Sequence, residues 1–314
     1  WLKPFGLLLP QHQPKRRGAR QRGPMSDAKA SGMGDKWSAQ AGIYSSQAAR
    51  LTELHGADLV TLLKDDIAKA STILDVGCGT GAFAKAYLQQ FPSGVPGQTF
   101  ILSDLSAGML EKAKDSIKPG SGFQTELKFQ EEDGTKLEGI ADDSIDLVVS
   151  LFGVFLIPDQ EGARKAILRV LKKPDGVVAI TSWQFGLSSL LTSHGFGVSA
   201  QDAFKVPIVT IDPKWSLLGT AWATRDIASK RLSDDYGLKT VETHGALHTS
   251  VTDFENFWTM VSKNPLSNIE SAGEEDVKKA KAALIEFVTQ GGKLNLEKPL
   301  VLSTASNLCI GRGI

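Results

Sequence analysis

The chain has 314 residues, 41% of them hydrophobic and 22% charged, which is enough apolar content for a full buried core. Thirty-five basic residues balance 35 acidic ones, so no global field recruits nucleic acid or an anionic membrane. The longest mostly apolar run, 147–157, is about half of the ~20 residues that span a bilayer. Two cysteines, Cys78 and Cys309, fit a reducing compartment without a disulfide framework and point to the cytoplasm.

The charge is unevenly spread. Residues 1–24 hold six basic residues and no acid, and they read as a leader or cloning remnant without a folding pattern, dispensable for folding. An Arg-rich organelle import signal is the alternative, but Pro4, Gly6, Pro10 and Pro14 break any amphipathic helix there. Residues 25–314 carry 29 basic against 35 acidic residues and read as one domain, a poor partner for polyanions.

A helical region over 37–70 precedes the first clear strand, 72–76, which ends in a glycine-rich turn. A helix at 81–90, a strand at 99–104 and a helix at 107–117, stopped by Pro119-Gly120, follow. Short strands are predicted at 127–130 and 145–150. Ala163, Ala166, Ile167, Val170 and Leu171 mark a helix over 159–172, capped by Asp159 and ended by Pro174 and Gly176. A fifth strand covers 177–183. Residues 184–223 break the rhythm as an insertion, after which come a helix at 224–235 and a strand at 238–244. Val277, Ala280, Leu284, Phe287 and Val288 mark a last helix, and 300–310 a final strand. This alternation predicts an α/β fold with a doubly wound, mostly parallel seven-stranded sheet and ligands at the strands' carboxyl ends.

The first turn, Asp75-Val-Gly-Cys-Gly-Thr-Gly81, lies between strand and helix, as a nucleotide loop requires. Gly77, Gly79 and Ala82 also satisfy the dinucleotide fingerprint, so the glycines alone do not decide the ligand. Asp75 adds information, because a carboxylate at the strand end repels a pyrophosphate and attracts an ammonium. Asp104 lies 23 residues beyond Gly81, near the spacing expected of an acid that accepts from ribose hydroxyls.

Ile73–Gly81 resembles the first motif of class I S-adenosylmethionine-dependent methyltransferases, and Asp104-Leu-Ser-Ala-Gly-Met109 resembles the second. The resemblance covers roughly 73–183, including the Lys-Lys-Pro-Asp-Gly junction before the fifth strand, where Lys173 is inserted and Asp175 replaces a glycine. It implies S-adenosylmethionine as cofactor, with Asp75 at its amino end and Gly77, Cys78, Gly79 and Gly81 beneath it. Asp104 would take the ribose, Leu105 and Met109 would flank adenine, and Asp133 with Gly134 would meet its edge. Ser150 and, from a lid over 37–70, Tyr44 complete the implied cofactor set. Glu132 rivals Asp133.

The resemblance further implies a small-molecule acceptor. The Asn/Asp-Pro-Pro-Tyr/Phe motif of enzymes that methylate nucleic-acid bases or glutamine amides is missing after 145–150, where Ser150-Leu-Phe-Gly153 stands instead. Phe152, Phe155 and Trp183 are the candidate substrate wall, and His194 is the candidate base if the acceptor must lose a proton. Substrate choice is expected to reside in the lid and the 184–223 insertion. No metal is expected: no CxxC or HExxH spacing occurs, and Asp142, Asp143 and Asp146 fall at the wrong end of their strand for a magnesium site. A nicotinamide-dependent oxidoreductase and an inactive cofactor-binding partner subunit are the alternative readings.

Overall fold

The computed structural model describes residues 27–47, 49–184, 189–192, 197–199, 222–263, 273–289 and 300–314. Helices α1 (Asp27–Gln47), α2 (Ala49–Leu62) and α3 (Lys64–Lys69) precede β1 (Thr72–Val76), α4 (Ala82–Gln90), β2 (Thr99–Asp104), α5 (Ala107–Ser116), β3 (Glu126–Glu131) and β4 (Leu147–Ser150). Then come α6 (Gln160–Val170), β5 (Val177–Trp183), β6 (Ser189–Thr192), β7 (Gly197–Ser199), α7 (Arg225–Lys230) with a π-helical turn, β8 (Thr240–Thr252), α8 (Phe254–Ser262), α9 (Glu274–Val288) and β9 (Leu300–Arg312).

The parallel half of the sheet runs β3-β2-β1-β4-β5. β9 joins antiparallel to β5, and β8 pairs along the whole length of β9, which completes seven strands. Two more strands were not foreseen: the β6–β7 hairpin pairs with the first residues of β9 and lies in the predicted insertion. Continuous apolar runs explain the centre. Ile73, Leu74, Val76, Val148, Val149, Val178 and Ala179 are all buried, as strands covered on both faces must be.

Several boundaries differ from the sequence reading. β4 begins at Leu147, because Ile145 makes only an isolated bridge to Leu171 while Asp146 serves as an anchor. Its carboxylate accepts from the amides of Ser71 and Thr72 at 3.0 and 2.8 Å and from Lys172 at 2.8 Å, tying together the amino ends of β1 and β4. β8 and β9 run to Thr252 and Arg312, longer than their apolar cores, because each ladder extends through Thr, Ser and His positions. α8 was not predicted. The helical region begins at Asp27, ten residues before the expected start. Small residues seat α1 on the sheet's rim: a Cβ on Gly34 would lie 2.6 Å from the Leu105 carbonyl oxygen, and one on Gly108 2.9 Å from the Cα of Ser38. Ser38 also shares a 2.8 Å hydrogen bond with Ser106.

Candidate functional site

The carboxyl ends of β1, β2 and β4 converge on the glycine turn. β1 enters it through Asp75, whose side chain is completely buried and whose two carboxylate oxygens have no hydrogen-bond partner. Burial, and second the charge of Asp104, push its carboxyl well above the usual range; the nearby Leu151 amide offsets this only in part. The turn is held from outside itself: the Cys78 amide donates to Ser103 O at 2.9 Å, and Gly81 closes back on Cys78 O at 3.0 Å. Gly77 and Gly79 both have positive φ. A Cβ on Gly77 would come 3.0 Å from the Cα of Gly153, so backbones from β1 and β4 touch here. Around Gly79, itself half-buried, nothing lies within 4 Å of a Cβ position, which leaves an open cradle above its backbone. The buried Thr80 hydroxyl beside it is also without a partner.

Asp104, at the end of β2, accepts from the Gly79 amide at 2.8 Å with one oxygen and from the Ser106 amide at 2.9 Å with the other. Burial outweighs those two bonds and pushes its carboxyl up to about 6. Each oxygen keeps a lone pair for a further donor. Ser106, not Asp104, caps α5, accepting from the Met109 amide at 3.1 Å.

The remaining sequence candidates divide. Asp133 is occupied by its own turn, accepting from the amide and hydroxyl of Thr135 at 2.9 and 2.7 Å, and Glu132 accepts from Gly139. Gly134 packs tightly, a Cβ there falling 2.8 Å from Ile157. The Ser150 hydroxyl donates to Val76 O at 2.7 Å and accepts from the Val154 amide at 2.8 Å, so it braces the turn after β4. Cys78 is buried, its thiol pushed well up by burial, and Met109 lies in the core. Leu105 sits half-buried beneath α1. Tyr44, half-buried on α1, packs edge-on against Trp37 at 6.1 Å and is held up by burial, with the charges of Asp104 and Glu53 adding to the effect.

On the acceptor side, Phe152 adopts φ 60°, a strained value for an aromatic residue, and its amide donates to Thr181 at 2.8 Å. Its ring stacks on Trp183 at 3.6 Å between centroids and 11° between planes. Phe155 is buried, as Phe152 is, and Trp183 presents the exposed part of the stack. His194 lies outside the described residues.

One group was not anticipated. His55 of α2 is fully buried, edge-on to Phe152 at 5.5 Å, to Trp183 at 5.3 Å and to His248 at 4.6 Å. Its Nε2 bonds Thr304 at 3.0 Å and its Nδ1 bonds Ser306 at 2.8 Å. Burial, and second the neighbouring His248, lower its pKa to about 3. His248 Nε2 in turn lies 2.6 Å from Asp58. The only local signal was the i, i+3 pairing of His55 with Asp58 on one helix face. Asp142 and Asp146 are ion-paired with Arg169 and Lys172 at the opposite end of the sheet, as their sequence positions implied.

Residues 74–180 match the family model described as a methyltransferase domain. The demethylmenaquinone methyltransferase of Lactobacillus johnsonii is 38% identical over 108 residues, 34% of this chain and 41% of that protein. The ubiquinone/menaquinone biosynthesis C-methyltransferase UbiE of Haemophilus ducreyi is 30% identical over 108 residues, 34% of this chain and 39% of that protein. The chain thus spans about two fifths of the length of these curated relatives. A solved structure from Bacillus halodurans, described as a candidate methyltransferase, covers 81% of this chain and 98% of its own at 18% identity with a TM-score of 0.51, a likeness of fold. Among the described residues no helix is long and apolar enough to cross a membrane.

Proposed function

We propose that the chain, whose residues 74–180 match a methyltransferase domain, is a class I enzyme that transfers the methyl group of S-adenosylmethionine to a small planar acceptor of the quinol class. The observation that carries the cofactor half is Asp75. A fully buried carboxylate that lacks a well-formed hydrogen bond, its burial offset only in part by the Leu151 amide, costs several kcal/mol unless a ligand meets it, and a cationic ammonium is the group that does so. A pyrophosphate would add repulsion instead. Bound S-adenosylmethionine supplies a methyl group already activated on a sulfonium.

The chain's own residues supply the rest. Asp75 accepts from the ammonium. The Gly79 cradle lets backbone approach the ligand closely, and the free lone pairs of Asp104 accept from a cis-diol. Leu105, Tyr44 and Gly134 bound the adenine side, and Asp133 retains one oxygen outside its turn bonds for the exocyclic amine. The Phe152–Trp183 stack gives a flat wall beside the carboxyl ends of β4 and β5, which suits a planar acceptor and excludes water from it. Named activities of the two quinone-pathway relatives favour the same class. Alignment and desolvation carry the transfer, so no magnesium ion is required.

Calorimetric titration with S-adenosylmethionine and with NAD tests the cofactor. Tight NAD binding without S-adenosylmethionine binding overturns the reading, and cofactor binding without turnover of demethylmenaquinol or any member of a metabolite extract favours an inactive partner subunit. Trp183→Ala should lower turnover of a planar acceptor by about 100-fold while cofactor affinity holds. If affinity collapses instead, Trp183 belongs to the cofactor site.

A further inference from the structure

His55, Asp58 and His248 form a second cluster, distinct from the glycine-turn site and unused by the proposed transfer. We propose that these three side chains bind one divalent transition-metal ion of zinc type, which clamps α2 onto the β8–β9 ladder.

Placement comes first. Each residue offers one ligand atom, and the three atoms all lie within 4.8 Å of one another. His55 and Asp58 stand one helical turn apart on α2, and His248 reaches them from β8, 190 residues beyond Asp58. Ligand distances of ~2.0–2.2 Å place tetrahedral ligand atoms about 3.3 Å apart, so the cluster must tighten by roughly 1.5 Å at its widest. The freedom to do so is on the correct side: Asp58 and His248 keep 40% and 24% of their side chains exposed, while His55 is fixed in the core.

Chemistry narrows the ion. Two imidazoles and one carboxylate are the donor set of zinc, cobalt or nickel, whereas magnesium and calcium take oxygen cages. Thr304 and Ser306 hydroxyls bond the two ring nitrogens of His55, so ligation through one nitrogen displaces its hydroxyl while the bond at the other nitrogen keeps the ring oriented. The rings of His55 and His248 lie 4.6 Å apart, close enough for one ion to meet both. The ion's place is structural, behind the Phe152–Trp183 wall, and methyl transfer does not pass through it.

The full chain, stripped with a chelator and transferred to metal-free buffer, is titrated with Co2+ and then Zn2+. The expected result is one equivalent of cobalt with the intense visible absorption of a low-coordinate N/O site, displaced by zinc and untouched by magnesium, together with a raised melting temperature. Asp58→Asn and His248→Gln, both partly exposed positions, should each weaken binding by about 100-fold or more without altering S-adenosylmethionine affinity. Absence of stoichiometric cobalt binding by the folded chain overturns the proposal. So does binding that survives in the Asp58→Asn/His248→Gln double variant, which would place the ion elsewhere. Neither result bears on the methyltransferase reading, which the cofactor titrations decide separately.

Discussion

At the amino end of the parallel strands, Asp146 accepts from two amides and a lysine and joins β1 to β4. At the carboxyl end, about one strand length away, Asp75 is more deeply buried and has no well-formed hydrogen bond, with only the Leu151 amide offsetting its burial in part. The same residue type thus does opposite work on the same pair of strands. Asp146 lowers the free energy of the folded chain. Asp75 raises it, and such an arrangement persists where a ligand supplies what the protein withholds. The contrast identifies the carboxyl end as the functional one without reference to any motif.

Exchanging the two acids' roles should give the largest effects. Asp75→Ala should weaken S-adenosylmethionine binding by about 10- to 150-fold, the worth of a ~1.5–3 kcal/mol bond to a charged group, while adenosine binding barely changes. Calorimetry with both ligands checks this, and equal losses for the two would mean that the turn itself had collapsed. Asp75→Asn should in addition raise the melting temperature of the ligand-free protein, since it removes a buried ionisable group with no partner. Asp146→Ala should do the reverse, costing about 1–2 kcal/mol of stability by denaturant titration and leaving cofactor affinity intact.

pH sharpens the same comparison. Asp104 has a folded pKa of about 6, raised from 3.8, and Asp75 is raised as well. A raised carboxyl contributes stability that is complete below pH 3.8 and is lost as pH rises through the folded value, so the ligand-free protein should lose stability between about pH 4 and 6. Cofactor affinity should run the other way. At pH 5 about a tenth of Asp104 is ionised, so binding should be about 10-fold weaker than at pH 7.5 if the ribose requires the carboxylate. His55 adds a separate acid limit, because its contribution is present above pH 6.5 and fades toward about 3. The smallest effect expected is that of magnesium, whose addition or omission should leave the initial rate of methyl transfer unchanged.

Much of the cofactor side was legible because its parts are local. Asp75, the three glycines and Asp104 lie within 30 residues, and the strand and helix periods around them state where the loop must fall. What the motif could not say is which groups remain free. Ser150 and Asp133 fit the pattern as well as Asp75 does, yet the Ser150 hydroxyl is spent on Val76 and Val154, and Asp133 is largely spent on Thr135. Phe155 likewise has the right position and residue type, and it is as buried as Phe152.

On the acceptor side Phe152 and Trp183 were legible as a candidate wall, but the groups packed against them were not. His55, His248 and Ser306 come from three elements spread over some 250 residues, and each alone reads as ordinary packing. The sequence by itself determined the α/β class, the order of the parallel strands' elements and the glycine turn after β1, because backbone periodicity and glycine conformations are local properties. Only the tertiary structure decided that β9 lies between β5 and β8, and hence which histidines meet, because strand pairing across long separations is chosen by the packing of whole faces.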